Sequence, residues 1–214
     1  MPAKGSLCIV IGLMSFIGIT RGFVADLSIL AFAGTPTGKV VPFNGHLFDG
    51  KPKPQDPKAS FNVTEFFGAH GPEVTDQKVE KAISYLREKM GIQKIASTGY
   101  CFGGRYAFRA LGIPQNKGVL VGFAAHPSLL GDEEIKAIKG PASLAVAEGD
   151  ASMMANRRTD IEAAMGTTGQ PFTMTLYGGT PHGFATHPDL NNPVQKAAKE
   201  DAFLQAVRFF ETWL

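Results

Sequence analysis

The chain has 214 residues, 44% hydrophobic and 19% charged, which suits one domain (1–214) with a sizeable core and excludes a disordered chain. Its 21 lysines and arginines against 19 acids leave a formal charge of +2 with no basic stripe, so no nucleic-acid partner is expected. Its cysteines, Cys8 and Cys101, cannot build a multi-disulfide scaffold, and neither has zinc-ligand neighbours at the usual spacing, so no metal site is expected.

The apolar run Leu7–Ile19 follows Lys4 and reads in two ways. A membrane span takes ~20 residues, so no stable span is expected. As the h-region of a signal peptide within residues 1–22, the run implies secretion. As a buried parallel strand at Leu7–Gly12, the favoured reading, it fits a cytoplasmic protein. Gly18–Gly34 mixes apolar and polar residues and is predicted helical. Lys39–Phe43 is a short strand, and the prolines of Gly50–Pro57 mark a surface loop. Lys58–Phe67 is a short helix. Pro72–Met90 is the clearest helix, with Val79, Ile83, Leu86 and Met90 on one face and Gly91 as its stop. Strands follow at Lys94–Thr98, Val119–Ala124, Ala142–Ala147 and Phe172–Leu176, and helices at Gly103–Leu111 and Met153–Met165. Asn192 and Pro193 read as cap and first residue of a final helix to Trp213. Short apolar strands alternating with amphipathic helices imply an α/β fold, a mostly parallel sheet covered on both faces. Gly34–Thr35–Pro36–Thr37–Gly38–Lys39 hints at a phosphate loop, but the spacing between its glycines is wrong and Val40 follows the lysine.

The chemistry concentrates in Gly99–Tyr100–Cys101–Phe102–Gly103, a Gly-x-nucleophile-x-Gly pattern between a strand and a helix. Such a turn is so sharp that the residues two before and two after the nucleophile nearly collide, and glycine relieves the clash. It presents the side chain at a helix N-terminus, where backbone N–H groups and the dipole favour a thiolate. The N–H of Phe102 is placed to help hold an oxyanion. A buried cysteine in a glycine-rich turn gives the same local pattern. The order of two later residues favours the functional reading: Asp150 lies past the end of one strand and His182 past the end of the next. That is the nucleophile–acid–histidine order of a hydrolase triad, with all three at strand carboxyl ends. His126, in Ala125–His126–Pro127–Ser128, either lines the pocket or is a structural loop histidine, and His187 is close enough in sequence to His182 to line the cleft.

The segments Gly99–Arg105, Ala147–Asp150 and Pro181–Ala185 resemble the dienelactone hydrolase family. Leu47–Phe48–Asp49–Gly50 and Ala125–His126–Pro127–Ser128 resemble its fungal members most. The resemblance implies an α/β-hydrolase fold, a Cys101–His182–Asp150 triad with a covalent acyl-enzyme, and cleavage of a small ester or lactone without a cofactor. Ser15–Phe16–Ile17–Gly18 resembles the loop that supplies a second oxyanion donor, here Phe16. Bacterial members carry a Glu at the position matching Ser15 and hold a substrate carboxylate with arginines, one of them shortly after the triad histidine. Here Thr186 and His187 stand in that region, leaving Lys51, Lys53 and His187 as the available cations and Arg105 as a structural residue. Family members usually have two strands before the one at Leu7–Gly12, so these are expected to be missing. Six main strands are then predicted, with Lys39–Phe43 at an edge open to a second copy as a homodimer. The alternatives are a thioesterase or acyl-transferring esterase of a biosynthetic pathway, and a catalytically inactive truncated relative.

Overall fold

The computed structural model describes residues 60–214, Phe48, and the strands β1 (Cys8–Leu13), β2 (Ile29–Gly34) and β3 (Val40–Phe43). Four more strands follow: β4 (Lys94–Tyr100), β5 (Val121–Ala125), β6 (Ala142–Gly149) and β7 (Phe172–Pro181). Together they form a seven-stranded sheet of order β3-β2-β1-β4-β5-β6-β7. The run from β1 through β4, β5 and β6 to β7 is parallel, whereas β2 is antiparallel to both its neighbours.

The structure corrects two expectations. The segment predicted as a helix, Gly18–Gly34, ends in strand β2, and the described residues form seven strands rather than six. A short apolar run such as Ile29–Leu30–Ala31–Phe32 carries no periodicity that separates helix from strand, and pairing on both sides decides it. Val40–Phe43 is outermost, as predicted. Its Pro42 stands opposite Leu30 in an edge strand, where proline is tolerated. The predicted loop Gly50–Pro57 lies outside the described residues.

The helices follow from local signals. In α1 (Val63–Ala69) the Asn62 side chain caps the first turn by accepting from Glu65 N at 3.1 Å. Helix α2 (Pro72–Glu88) buries Val79, Ile83 and Leu86 of the predicted stripe, whereas Met90 lies past the helix end and is half-buried, and Gly91 follows in the left-handed region at φ 70°. Helix α3 (Phe102–Gly112) is buried along most of its length. A short helix that the sequence did not reveal, α4 (Asp132–Lys136), anchors itself through buried Ile135. Helix α5 (Ala155–Gly166) is preceded by a 3-10 turn at Ala151–Met153. The predicted Met153–Met165 helix is thus split at Met154. Helix α6 (Pro193–Trp213) starts at Asn192, whose side chain accepts from Val194 and Gln195 N.

Period-two alternation sends neighbouring residues of β5 and β6 to opposite faces. Ala124, Leu144 and Val146 join α2, α3 and α5 in one core layer. Phe123, Ala125, Ala145 and Ala147 meet Ala198, Ala202 and Ala206 of α6 in the other. Those alanines recur every fourth residue and let α6 approach the sheet closely. Arg105 of α3 donates from Nε to both carboxylate oxygens of Glu134, at 2.8 and 3.0 Å, and Arg109 bridges Glu134 and Asp76. Arg105 thus ties α3 to α4, as expected for a structural residue. No helix among the described residues is long and apolar enough to cross a membrane.

Because α3 is buried along most of its length in the first core layer, its central aromatic should dominate local stability. Phe108 is 0% exposed. Phe108→Ala should cost about 3–5 kcal/mol in equilibrium denaturation, the range for truncating a buried Phe.

Candidate active site

Strand β4 enters the centre of the sheet and turns at once into α3. Cys101 stands at the junction with φ 52° and ψ −121°, a conformation that side chains seldom adopt. A Cβ at Gly99 would lie 2.1 Å from the Gly103 carbonyl oxygen, so no larger residue fits the turn there. A Cβ at Gly104 would lie 2.7 Å from the Cβ of Pro127. The elbow is clamped from outside as well. Cys101 N–H donates to Ala125 O at 3.2 Å, and Ser128 N–H donates to Cys101 O at 3.0 Å.

The three residues singled out by their order meet at the carboxyl ends of β4, β6 and β7. His182 Nε2 lies 3.1 Å from Cys101 Sγ, and His182 Nδ1 lies 2.7 Å from Asp150 Oδ2. Asp150 is 3% exposed. Its other oxygen, Oδ1, accepts from Ser152 N at 2.9 Å and Ser152 Oγ at 2.6 Å. Asp150 is therefore a turn cap and a histidine partner at once, one oxygen for each. Strand β7 continues past the predicted Leu176 to Pro181, which delivers His182 directly from the strand end.

Charge coupling runs along this line. Burial pushes the Asp150 carboxyl up, but its bonds to His182 and Ser152 outweigh that and hold it below the usual carboxylate value. The hydrogen bond to Asp150, and then that to Cys101, raise His182 to about 10. Burial raises the Cys101 thiol. His182, Ser128 and the Phe102 N–H act the other way and leave it below the ordinary thiol value. The arrangement shifts the pair toward thiolate and imidazolium.

The remaining predicted residues fare differently. Phe102 opens α3 with its N–H beside the sulfur. His126 does not line an open pocket. It is 0% exposed, and its ring meets that of His182 edge to face, centroids 4.9 Å apart. Neither of its ring nitrogens has a hydrogen-bond partner among the described residues, and burial lowers it to about 3, so it is neutral. His126 follows the buried end of β5, and its own N–H is bound to Ala145 O, which draws the ring inward. His187 is exposed and bonded to the Thr186 hydroxyl at 2.9 Å. Ser15, Phe16 and Lys51 lie outside the described residues.

Two residues escaped the sequence reading. Ser128 Oγ lies 3.4 Å from Cys101 Sγ, and Ser152 holds Asp150. The Asp150-x-Ser152 spacing is a recognisable side-chain-to-backbone turn. For Ser128 the only sequence cue was its place in the Ala125–Ser128 motif. A trough of about 410 Å³ is lined by Tyr100, Ala185, Leu190 and Phe203 together with the charged Lys196, Lys199 and Glu200. Among the described residues, no group of three or more His, Cys, Asp or Glu is arranged to hold a metal ion.

Comparison with known proteins identifies the family to which the chain belongs. The dienelactone hydrolase family profile matches residues 38–214. A hydrolase of Aspergillus violaceofuscus, pyvD, is 36% identical over 168 residues, covering 78% of this chain and 67% of its own. A hydrolase of Talaromyces stipitatus, tropI, is 39% identical over 145 residues, covering 68% of this chain but 56% of its own length. In fold, the chain is similar to a crystal structure from Klebsiella pneumoniae described as a dienelactone hydrolase. The two superpose with a TM-score of 0.68 at 17% identity, over 99% of this chain and 90% of that one.

The shifts of His182 and Cys101 carry opposite pH consequences. A raised histidine stabilises the fold fully below its ordinary 6.5, and the contribution is lost as pH rises through its raised value. A lowered thiol contributes above its ordinary 9.0 and loses that contribution as pH falls through the lowered value. Cys101→Ala removes the second contribution and leaves Asp150 holding His182. In that variant, denaturation free energy should decline as pH rises above 6.5, and adding Asp150→Asn should flatten the decline.

Proposed function

Because the chain belongs to the dienelactone hydrolase family, we propose that it cleaves a small ester or lactone through Cys101, His182 and Asp150 by way of a covalent acyl-enzyme. The observation that carries this reading is the continuous line from Cys101 Sγ through His182 to Asp150, with contacts of 3.1 and 2.7 Å.

The chemistry follows from the charges. The Cys101 thiolate attacks the carbonyl carbon, forming a C–S bond and moving the π electrons onto oxygen. The Phe102 N–H faces the developing oxyanion, and Phe16 is proposed as the second donor. Collapse breaks the C–O bond, and the departing oxygen takes the proton of the His182 imidazolium. In a lactone that oxygen stays tethered to the acyl group. Neutral His182 then removes a proton from water, hydroxide attacks the thioester, and the sulfur leaves as thiolate beside the restored imidazolium. Asp150 holds the proton-bearing Nδ1 throughout and stabilises the charged ring. His126, neutral and packed against His182, adds no competing charge.

Short aryl esters, a carboxylated lactone and an aryl thioester form the test panel. Cys101→Ala and His182→Ala should each lose roughly 10⁴-fold in kcat/KM with the fold intact, while Asp150→Asn should be severely impaired because it presents the wrong tautomer. Near-native turnover by folded Cys101→Ala would overturn the assignment. The same panel measures which acyl and leaving groups the enzyme prefers.

A further inference from the structure

Ser128 makes a contact with the sulfur that the proposed triad does not use. We propose that the Ser128 hydroxyl is a thiolate-stabilising group, donating to Cys101 Sγ in the resting state as a further donor beside His182 and the Phe102 N–H. This rests on the reading of Cys101 as a thiolate nucleophile.

The position of Ser128 is built, not incidental. Oγ lies 3.4 Å from Sγ, within the range for sulfur as an acceptor. The segment from Ala125 to Leu129 is a turn with two strained residues: His126 has φ 39° and Leu129 φ 60°, and neither is glycine. Such strain persists only where neighbours over-determine it, and here they do. His126 N–H is bound to Ala145 O at 2.8 Å, fixing the turn to β6. Pro127 packs against Gly104 at the start of α3. Cys101 N–H to Ala125 O and Ser128 N–H to Cys101 O fix the turn to the elbow on both sides of the residue that carries the nucleophile. With the backbone held at two points, the Ser128 side chain has a short reach to the sulfur.

The electronic state settles the direction of the bond. A thiolate has no proton to give, so the hydroxyl donates. Once the sulfur is acylated it becomes a thioester, a far weaker acceptor, and the hydroxyl is released. Ser128 therefore favours the free thiolate over the acyl-enzyme, and so favours departure of sulfur in deacylation as well as its readiness at rest. Among the described residues, the titratable groups around the sulfur are His182 from the loop after β7, Asp150 beyond it after β6, and buried neutral His126 behind His182. The elbow helix contributes the Phe102 N–H.

The test is the pH dependence of Cys101 alkylation by iodoacetamide in the intact protein, read on the Cys101 peptide by mass spectrometry so that Cys8 does not interfere. Ser128→Ala should raise the midpoint by about one unit, a tenfold smaller thiolate fraction below it, as befits one lost hydrogen bond to a charge. Ser128→Thr and Ser128→Val have nearly the same shape and differ in the hydroxyl. Thr should keep the wild-type midpoint and Val should shift as Ala does. That pair decides the matter even if the Ala variant folds poorly, because a purely structural serine predicts equal midpoints for Thr and Val. Equal midpoints, unshifted from wild type, would overturn the proposal. His182→Ala is read separately: an unchanged midpoint there would sink the triad, whatever the Ser128 variants show.

Discussion

The near-collision of Gly99 with Gly103 is the constraint on which the site depends. The Gly103 carbonyl occupies the space that a side chain at residue 99 would need, so β4 reverses into α3 within a few residues. That reversal forces Cys101 into a left-handed backbone and lifts its side chain above the sheet. The strain is held because α3 is locked into the core by Phe102, Tyr106 and Phe108, all buried. The elbow cannot relax without moving the first core layer. Fold stability and the position of the sulfur are therefore the same physical problem.

Electrostatics add the second layer. Burying a carboxylate at 3% exposure is costly unless its oxygens are satisfied. Asp150 meets that demand with two Ser152 donors on one oxygen and His182 on the other. Its charge is then free to hold His182 protonated, and the protonated ring in turn favours a charged sulfur. His126 could have opposed this, since a second cation beside His182 would repel the first. Complete burial keeps it neutral, at the cost of two ring nitrogens without partners among the described residues. The site thus sets one imidazole, biased toward its charged form, between a carboxylate and a thiol whose ionisation is eased.

Much of this was legible in the sequence, for physical reasons. A nucleophile elbow advertises itself, because the turn excludes side chains at fixed offsets and leaves glycines at those offsets. Asp150 and His182 follow apolar strands whose ends are visible as polar, glycine-bearing turns. The stripe of α2 was legible because Val79, Ile83 and Leu86 repeat with the helical period. Strand β2 was not, because six residues of mixed small and large apolar character fit either state until their partners Cys8 and Val41 are known. Helix α4 was missed because it buries only Ile135. The reach of Ser128 to the sulfur depends on left-handed backbone at His126 and Leu129, residue types that do not announce it.

The paired bonds between Cys101 and the turn after β5 also bear on how such a site can diversify. A loop that holds the Cys101 backbone at two points cannot gain or lose a residue without displacing the sulfur. The stretches after β6 and β7 are under a looser rule beyond Asp150 and His182: they carry Met154 and Leu190, which are 57% and 62% exposed and packed into neither core layer. Insertions, deletions and changes of side-chain volume are therefore best tolerated around residues 154 and 188–191. Changes of shape around the cleft would find their raw material there, while the Ala125–Leu129 turn stays constant in length.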